Sequence, residues 1–251
     1  MYNDEPFSSG FASRVAVGQP LGAFYGYVSD GIWATQEEID ASDIDFSISN
    51  TDPSPGDIRF VDVNGDGVID SDDQTIIGDA NPDFFGGFRN TFSYRGFELM
   101  AFLQFSVGND IYNNARAFYG MPGYIPGWGV FATAADRWTP DNPDGNAPVQ
   151  RASFLDWDNA QRDSDFFIED GSYLRLKTLR VGYTFTGQQL SRLGLNSARI
   201  YAVGQNLITF TGYSGLDPEM NTFDRSNTAF GTDFFSYPQA RTLEVGIDLG
   251  F

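Results

Sequence analysis

The sequence predicts an all-β chain whose long strands form a portion of a transmembrane antiparallel β-barrel with long loops at one end. Three observations support this prediction. Five stretches alternate between apolar and polar residues, the period of a strand with two different faces. Aromatic residues make up 16% of the chain, and barrels place them in girdles at both membrane interfaces. Short and long connections alternate between the stretches, as they do in outer-membrane barrels.

The composition excludes several classes of function. The 251 residues contain 34 Asp and Glu but only 15 Lys and Arg, giving a net charge of −19. A nucleic-acid partner is therefore not expected, because it requires a basic surface. The absence of Cys and His removes disulfides, thiolate metal sites and the commonest general base. The first residues lack the basic and apolar parts of a secretion signal. If the protein is exported, we therefore expect its beginning to be missing from this sequence.

The region before residue 84 is predicted to be mainly a long loop, because it is polar and rich in Gly, Pro and Asp. One short helix is expected at Thr35 to Ala41, where Thr35 is the N-cap and Glu38 closes a capping box. Residues 1–83 are therefore assigned to a loop region, and residues 84–251 to barrel strands with their own loops.

The first pair of strands is predicted at Phe84 to Tyr94 and Phe97 to Val107. Both stretches place apolar residues on alternate positions, and only Asn90 interrupts the apolar face of the first. Because Arg95 and Gly96 alone separate the stretches, they are expected to form a tight hairpin.

Two more strands follow the long irregular segment 108–170. In Thr178 to Phe185 the apolar residues alternate, but the preceding leucines have the opposite parity, so the phase changes near Lys177 and predicts a bulge. A short connection, 187–196, leads to the next strand, Arg199 to Leu207. Residues 209–240 then form another long loop.

The last strand has the clearest pattern, because Leu243, Val245, Ile247, Leu249 and Phe251 alternate without interruption. About 9–11 residues suffice for a tilted strand to cross a bilayer. A terminal Phe on such a strand resembles the C-terminal signature of bacterial outer-membrane barrels. The last strand of a soluble β-sandwich alternates as well, so this stretch alone favours the barrel only modestly.

The lengths of the connections predict an orientation. Outer-membrane barrels have short periplasmic turns and longer extracellular loops, which places segments 1–83, 108–170 and 209–240 outside the cell. Strict alternation then predicts which side chains face lipid and which face the lumen. We expect Leu99, Leu103, Val181 and Leu249 to face the bilayer, and Glu98, Gln104 and Asp248 to face the lumen. Five strands are too few to close a barrel, so the chain is expected to be a fragment of one.

Four stretches resemble the SusC/RagA family of TonB-dependent outer-membrane transporters, known from Bacteroidetes. In the family's order, they are GQPLGAFYGYVSDGIW, PGDIRFVDVNGDGVIDSDDQTIIGDANPDFFGGFRNTFSYRGFEL, EDGSYLRLKTLRVGYTF and YAVGQNLITFTGYSGLDPE. They extend from about residue 18 to the last strand.

The resemblance implies that the chain is the C-terminal part of a 22-stranded barrel in the bacterial outer membrane. It also implies import of oligosaccharides (glycans) or peptides and contact with outer-membrane lipid. Enzymatic activity is not expected, because the chain has no His and the carboxylates of so acidic a protein are solvated by default. The family has a SusD-like lipoprotein partner, an internal plug and a segment that contacts the TonB complex. The plug and that segment are absent from these residues.

Two of the matching stretches suggest architectural roles. Arg175 and Lys177 share one parity and are expected to pair with acidic loop residues near the membrane surface. Gly204 and Asn206 are expected to face inward, where they would let the plug pack close to the wall.

An acidic loop at residues 62–73 has the DxNxDGxIDxxD spacing of an EF-hand-type calcium loop. Hard oxygen ligands at these positions converge on one point, and Gly67 permits the sharp turn. The loop predicts a structural Ca²⁺ site with the following ligands: Asp62, Asn64, Asp66, Val68 through its carbonyl, Asp70 and Asp73. Position 12 is Asp and not the usual Glu, and Ile58 to Val61 suggests a strand where an EF-hand has a helix. The alternative is a solvated acidic turn.

Aromatic residues in segment 108–170 are candidates for sugar contact. They are Trp128, Trp138, Trp157, Tyr119 and Tyr124. The alternative is that they pack the loop against its neighbours. For the whole chain, the second hypothesis is a secreted, calcium-stabilised β module that binds glycans.

Overall fold

A computed structural model describes residues 6–46, 52–120, 129–143, 162–187, 190, 192, 194–223 and 226–251. The chain divides into two compact units. The first, which we call the connecting unit, comprises residues 1–81, 110–169 and 220–236. The second, the strand unit, comprises residues 82–109, 170–219 and 237–251. Each unit therefore combines segments that are distant in sequence.

The described residues form strands and a few short helices. The strands are β1 (Phe7–Ser8), β2 (Ser13–Val15), β3 (Ala23–Gly26), β4 (Ser29–Ile32), β5 (Ile58–Phe60), β6 (Thr75–Gly78), β7 (Phe84–Tyr94), β8 (Phe97–Val107), β9 (Asp110–Asn113), β10 (Ile168–Asp170), β11 (Tyr173–Phe185), β12 (Ser197–Thr211), β13 (Thr232–Asp233) and β14 (Thr242–Gly250). The helices are α1 (Gln36–Asp40) and α2 (Asn114–Tyr119), and 3₁₀ turns occur at Ser71–Asp73, Ala132–Asp136 and Asp165–Phe167. None of the described helices has the length and apolar character needed to cross a membrane.

The strand unit is one antiparallel sheet of five strands in the order β14-β12-β11-β8-β7. Neighbouring strands in the sheet are also consecutive among the long strands of the chain. The predicted bounds of β7 and β8 are confirmed, and so is the hairpin between them. Arg95 and Gly96 both have positive φ, 49° and 88°, the conformation that two-residue hairpins favour. β11 and β12 begin earlier than predicted.

The register places apolar and polar side chains on opposite faces of the sheet. Leu99 pairs with Val181, which pairs with Ala202, which in turn pairs with Val245. Directly paired residues share a face, so one apolar face crosses four strands. Its side chains are uncovered in the described chain, and Val245 is 80% exposed. The grouping predicted for the lipid-facing and lumen-facing residues agrees with this register.

A bulge interrupts β11 at the predicted position. Leu176 pairs with Leu103 and Thr178 with Phe102, so Lys177 is an extra residue relative to β8. On the β12 side, the register also changes next to Lys177. There Asn206 has φ 51°, a left-handed conformation that Asn tolerates better than most residues. Its amide donates to the carbonyl of Ala240 at 3.0 Å, which ties β12 to the chain entering β14.

The inward assignment of Gly204 is wrong. Gly204 pairs with Leu179 and Leu243, so it lies on the apolar face. Tyr201 takes the polar face instead, where its ring lies under the guanidinium groups of Arg180 and Arg199 at 4.7 and 5.9 Å. β12 carries apolar residues on both parities, so only its pairing with β11 and β14 determines its orientation.

The connecting unit contains a four-stranded sheet, β1-β2-β3-β6, a three-stranded sheet, β10-β9-β13, and the pair β4-β5. Its core draws on two of the three segments. The buried members are Ala12, Phe24, Ile58, Ala80, Tyr112, Ala117 and Phe167. The third segment adds β13, which pairs in parallel with β9.

The predicted helix forms as α1. Thr35 is its N-cap and accepts a hydrogen bond from the Glu38 N–H at 3.3 Å. The Glu38 carboxylate accepts from the Ala34 N–H at 2.9 Å. The predicted capping box therefore differs in one hydrogen bond, because the Glu38 carboxylate accepts from the residue before the N-cap and not from the N-cap itself. Ile58–Phe60 is a strand, as its pattern indicated.

The face assignment predicts a labelling pattern in the full-length protein. Single cysteines at positions 244 and 245, with any other cysteine replaced by Ser, would be treated with a membrane-impermeant thiol reagent. We expect labelling at 244 and protection at 245, because adjacent strand residues face opposite sides. Cysteines at positions 98 and 99 repeat the test on a second strand, β8. Labelling at 245 with protection at 244 would show that the assigned faces are inverted.

Candidate functional site

The acidic loop is a tight turn closed by its own carboxylates. The Asp62 carboxylate accepts hydrogen bonds from the N–H groups of Gly65 at 2.6 Å and Gly67 at 2.7 Å. Asp73 is fully buried and accepts from Val63 and Asp70, each at 2.8 Å. The hydrogen bond from Gly67 is the main cause that lowers the pKa of Asp62, against an opposing effect of desolvation.

The loop does not direct its carboxylates toward one point. The oxygens of Asp62, Asp66 and Asp73 are engaged by backbone N–H groups. Within the part of the chain that the structure describes, no group of three or more Asp or Glu side chains is placed to hold a metal ion. Calcium binding by this loop therefore stays a prediction.

The candidate sugar-contacting aromatics that can be located make packing contacts. The Tyr119 ring meets Phe235 edge-on at 4.7 Å and lies 5.9 Å from Phe131. The indole N–H of Trp138 donates to the Ala34 carbonyl at 3.1 Å. Trp128, Trp157 and Tyr124 lie outside the described residues. Sugar contact by this group also stays a prediction.

A buried cluster of charges lies in the strand unit, around Arg175 of β11. The side chain of Arg175 is 2% exposed. Its two terminal nitrogens donate to different carboxylates, to Asp217 through a short hydrogen bond and to Glu219 at 3.0 Å. Lys177 donates to the same Glu219 oxygen at 2.6 Å. The prediction that Arg175 and Lys177 pair with acidic loop residues is confirmed.

Neutral groups complete this cluster. Gln104, directly opposite Arg175 on β8, donates to Glu219 at 3.2 Å and to the Tyr173 hydroxyl at 3.0 Å. Asp217 accepts further hydrogen bonds from the N–H groups of Glu219 at 2.9 Å and Gln239 at 2.8 Å. The cluster thus fastens the chain on both sides of segment 220–236 to β11. Sequence reasoning missed Gln104 and Asp217, although Asp217 is part of the matching stretch that ends in LDPE.

The electrostatics of the cluster favour a charged Asp217. Burial acts to raise the pKa of Asp217, but the hydrogen bonds from Arg175, Gln239 and Glu219 outweigh it, and the pKa lies below its usual value. Two cations thus face two carboxylates. Breaking such a buried, compensated cluster is costly, so it holds the polypeptide in place.

Comparison with known proteins places this architecture among bacterial receptors. No family model matches the chain. It is 36% identical to the TonB-dependent receptor P26 of Formosa agariphila, over 99% of this chain and 24% of the relative. It is 29% identical to the TonB-dependent receptor SusC of Bacteroides thetaiotaomicron, over 76% of this chain and 17% of that receptor. The chain thus spans about a quarter or less of the relatives it matches.

The fold is shared with a solved structure. The structure of the RagAB peptide transporter superposes with a TM-score of 0.70, covers 98% of this chain and is 21% identical. The chain covers 24% of that protein. The similarity confirms the predicted fold class, an antiparallel β-barrel portion. These relatives are receptors and a transporter, which agrees with the expectation that the chain is not an enzyme.

The buried cluster predicts a local loss of stability in Asp217→Asn. Removing one partner of a buried ion pair costs up to about 3–5 kcal/mol, and Arg175 keeps its charge but loses one of its two carboxylate partners. In the full-length protein, hydrogen exchange of residues 212–219 should rise strongly, while β7 and β8 stay protected. Glu244→Gln, at an exposed carboxylate of the same sheet, is the matched control. Equal exchange in the two variants would contradict the role of the cluster.

The ion pair between Arg175 and Asp217 predicts that the protection of residues 212–219 depends on pH. Because folding lowers the pKa of Asp217, its stabilising contribution is complete above the ordinary Asp pKa of about 3.9. It is lost as the pH falls through the lowered value in the folded state. Protection of residues 212–219 should therefore be constant from neutral pH to about pH 5 and decrease below about pH 4. A loss of protection near neutral pH would refute this assignment.

Proposed function

This chain belongs to the TonB-dependent receptors of the SusC/RagA type, and from that premise we propose that it forms part of an outer-membrane importer. The complete receptor would take up oligosaccharides or peptides with energy from the TonB complex. The observation that carries the proposal is the 36% identity over 99% of the chain to a TonB-dependent receptor.

The two units have separate roles in this proposal. The strand unit is a sector of the barrel wall, and its apolar face meets outer-membrane lipid while its polar face lines the lumen. The connecting unit is built from the three long segments. Because the short turns of the sheet are periplasmic in such barrels, these long segments would be extracellular. A SusD-like lipoprotein would dock on that side. The similarity to the receptor SusC and to the RagAB peptide transporter supports this partner.

The alternative of a secreted, soluble β module is less well supported. Such a module would have to cover the face formed by Leu243, Val245 and Ile247, whose exposed fractions are 80, 80 and 64%. A soluble protein rarely leaves so large a contiguous apolar surface open to water. In a membrane barrel, lipid contacts the same face, so no further protein is needed to cover it.

Uptake measurements test the proposed function. A strain that lacks the full-length receptor should lose import of its oligosaccharide or peptide substrate, and the parent gene should restore import. Loss of TonB should abolish import in the same way, since energy reaches these receptors from the TonB complex. A matched strain that lacks an unrelated receptor should import normally. Unchanged uptake without TonB would contradict the proposal.

Calcium in the acidic loop is part of the proposed architecture. Four carboxylates at positions 62, 66, 70 and 73 repel one another, and a hard cation would neutralise them and order the chain before β7. In the full-length receptor, the double change Asp62→Ala and Asp66→Ala should remove bound calcium and increase protease cleavage between residues 50 and 80. It should also weaken co-purification of the lipoprotein, while the barrel stays inserted.

Asp72→Ala is the matched control for this test. Asp72 belongs to the same loop but is exposed and does not occupy a predicted ligand position. It should leave calcium content and protection unchanged. If the parent receptor binds no calcium, the loop is a solvated acidic turn. If the double variant keeps its calcium, the ligands are assigned wrongly.

A further inference from the structure

A cavity of about 310 Å³ lies within the connecting unit, and its walls are rich in charge. The groups that matter are two arginines, Arg14 and Arg162, two tyrosines, Tyr25 and Tyr27, and Asp163. The volume is within the range of about 300–1,000 Å³ that small-molecule sites occupy. All of these residues lie in segments 1–81 and 110–169.

Each arginine is held against an aromatic ring. The guanidinium carbon of Arg14 lies 3.9 Å from the centre of the Tyr25 ring, and that of Arg162 lies 5.2 Å from the Tyr27 ring. Arg162 also lies 5.8 Å from the Phe60 ring. Stacking occupies the flat face of a guanidinium but leaves its N–H edge free to donate in the plane.

The two tyrosines belong to the lining of the same cavity. Tyr25 and Tyr27 are two residues apart along an extended chain, so they project from the same face about 7 Å apart. The two stacked guanidinium groups therefore lie on neighbouring rings and line the same cavity. Arginine forks match the geometry of carboxylates better than any other side chain.

Neither arginine is neutralised by the described part of the chain. Arg14 and Arg162 have no carboxylate partner among the described residues, although acidic residues outnumber basic ones by 34 to 15. Other arginines of this unit are paired, for example Arg59 with Asp30 at 2.8 Å. An unpaired cation in a cavity of so acidic a chain indicates a site for an external anion.

Asp163 adds one carboxylate to a lining that has two guanidinium groups, so the cavity keeps a net positive charge. The Asp163 carboxylate accepts a hydrogen bond from the Tyr112 hydroxyl at 2.7 Å. Burial raises the pKa of Asp163, and the hydrogen bond from Tyr112 opposes that effect. The carboxyl group lies where this cavity adjoins the next one.

The second cavity, of about 250 Å³, shares Phe11 and Asp163 with the first and is mainly apolar. Ala117, Phe118 and Phe167 line it. Asn114 also faces this cavity, and only 3% of this residue is exposed. Its amide nitrogen is buried and has no hydrogen-bond partner among the described residues. A buried donor without a partner costs stability, and a ligand acceptor would satisfy it.

We propose that the two cavities form one binding site for an organic carboxylate, with the carboxylate between Arg14 and Arg162 and the apolar body against Phe11, Phe118 and Phe167. The Asn114 amide would donate to a carbonyl or hydroxyl of the ligand body. This inference deepens the proposed import function and rests on it for the origin of the ligand. Two sources have this chemistry: the C-terminal end of a short peptide and a uronic-acid sugar.

Binding to the purified full-length receptor tests the site without requiring transport. The probes are an acetylated Ala-Ala-Leu peptide with a free C-terminal carboxylate, its C-terminal amide, tri-galacturonate and its methyl ester. Titration calorimetry should show at least tenfold tighter binding of one free carboxylate than of its neutral counterpart. Preference within the peptide pair or within the sugar pair identifies the source.

Arg14→Gln and Arg162→Gln should each abolish that tenfold preference, and Arg14→Lys should keep part of it because the charge remains. Arg59→Gln, outside the cavity, is the control and should bind as the parent does. Equal binding of carboxylate and neutral probes by the parent would overturn the proposal. Retention of the preference in the doubly substituted receptor, with both Arg14→Gln and Arg162→Gln, would overturn it as well.

The outcome is separable from the test of import. A receptor that binds the carboxylate but shows TonB-independent uptake retains the site and contradicts the proposed function. A receptor that imports normally but has no preference for the carboxylate agrees with the proposed function and contradicts the binding site. Protease resistance of each variant, compared with the parent, shows that a loss of binding reflects the site and not misfolding.

Discussion

The pairing of five strands into an up-and-down antiparallel sheet is the constraint on which the rest of the structure depends. Each strand has an apolar and a polar face, so a shift of one residue would reverse every side chain of that strand. The short turn at Arg95 and Gly96 fixes the register of β7 against β8. Once the register is fixed, every long segment starts and ends at a defined strand terminus.

The buried charge cluster extends this constraint to the polar side of the sheet. Arg175 is almost completely removed from solvent, and an unpaired charge there would be very costly. Its partners come from the chain that follows β12, and Gln239 just before β14 joins them through Asp217. Because burying Arg175 without partners would be unfavourable, its hydrogen bonds fix the chain that follows β12 and the chain that precedes β14 against β11.

The sequence predicts the strands better than the sites. β7 and β8 match their predicted bounds because strict alternation and a two-residue turn leave one solution. The orientation of β12 was missed because apolar residues occur on both of its parities, and only cross-strand pairing decides between them. Arg14 and Arg162 are separated by almost 150 residues, and no local pattern indicates that they line the same cavity. Contacts between distant segments are what sequence periodicity cannot encode.

The connecting unit has a consequence for the order of folding. The Ser9 hydroxyl donates to the carbonyl of Thr228, 219 residues further along the chain, and β13 pairs with β9 across more than a hundred residues. Contacts of such high sequence separation form slowly, because long loops must close before any contact compensates for the lost entropy. This unit can therefore be completed only after nearly the whole chain has been synthesised. Until then its aromatic core residues are exposed, and shielding them from non-native contacts favours productive assembly.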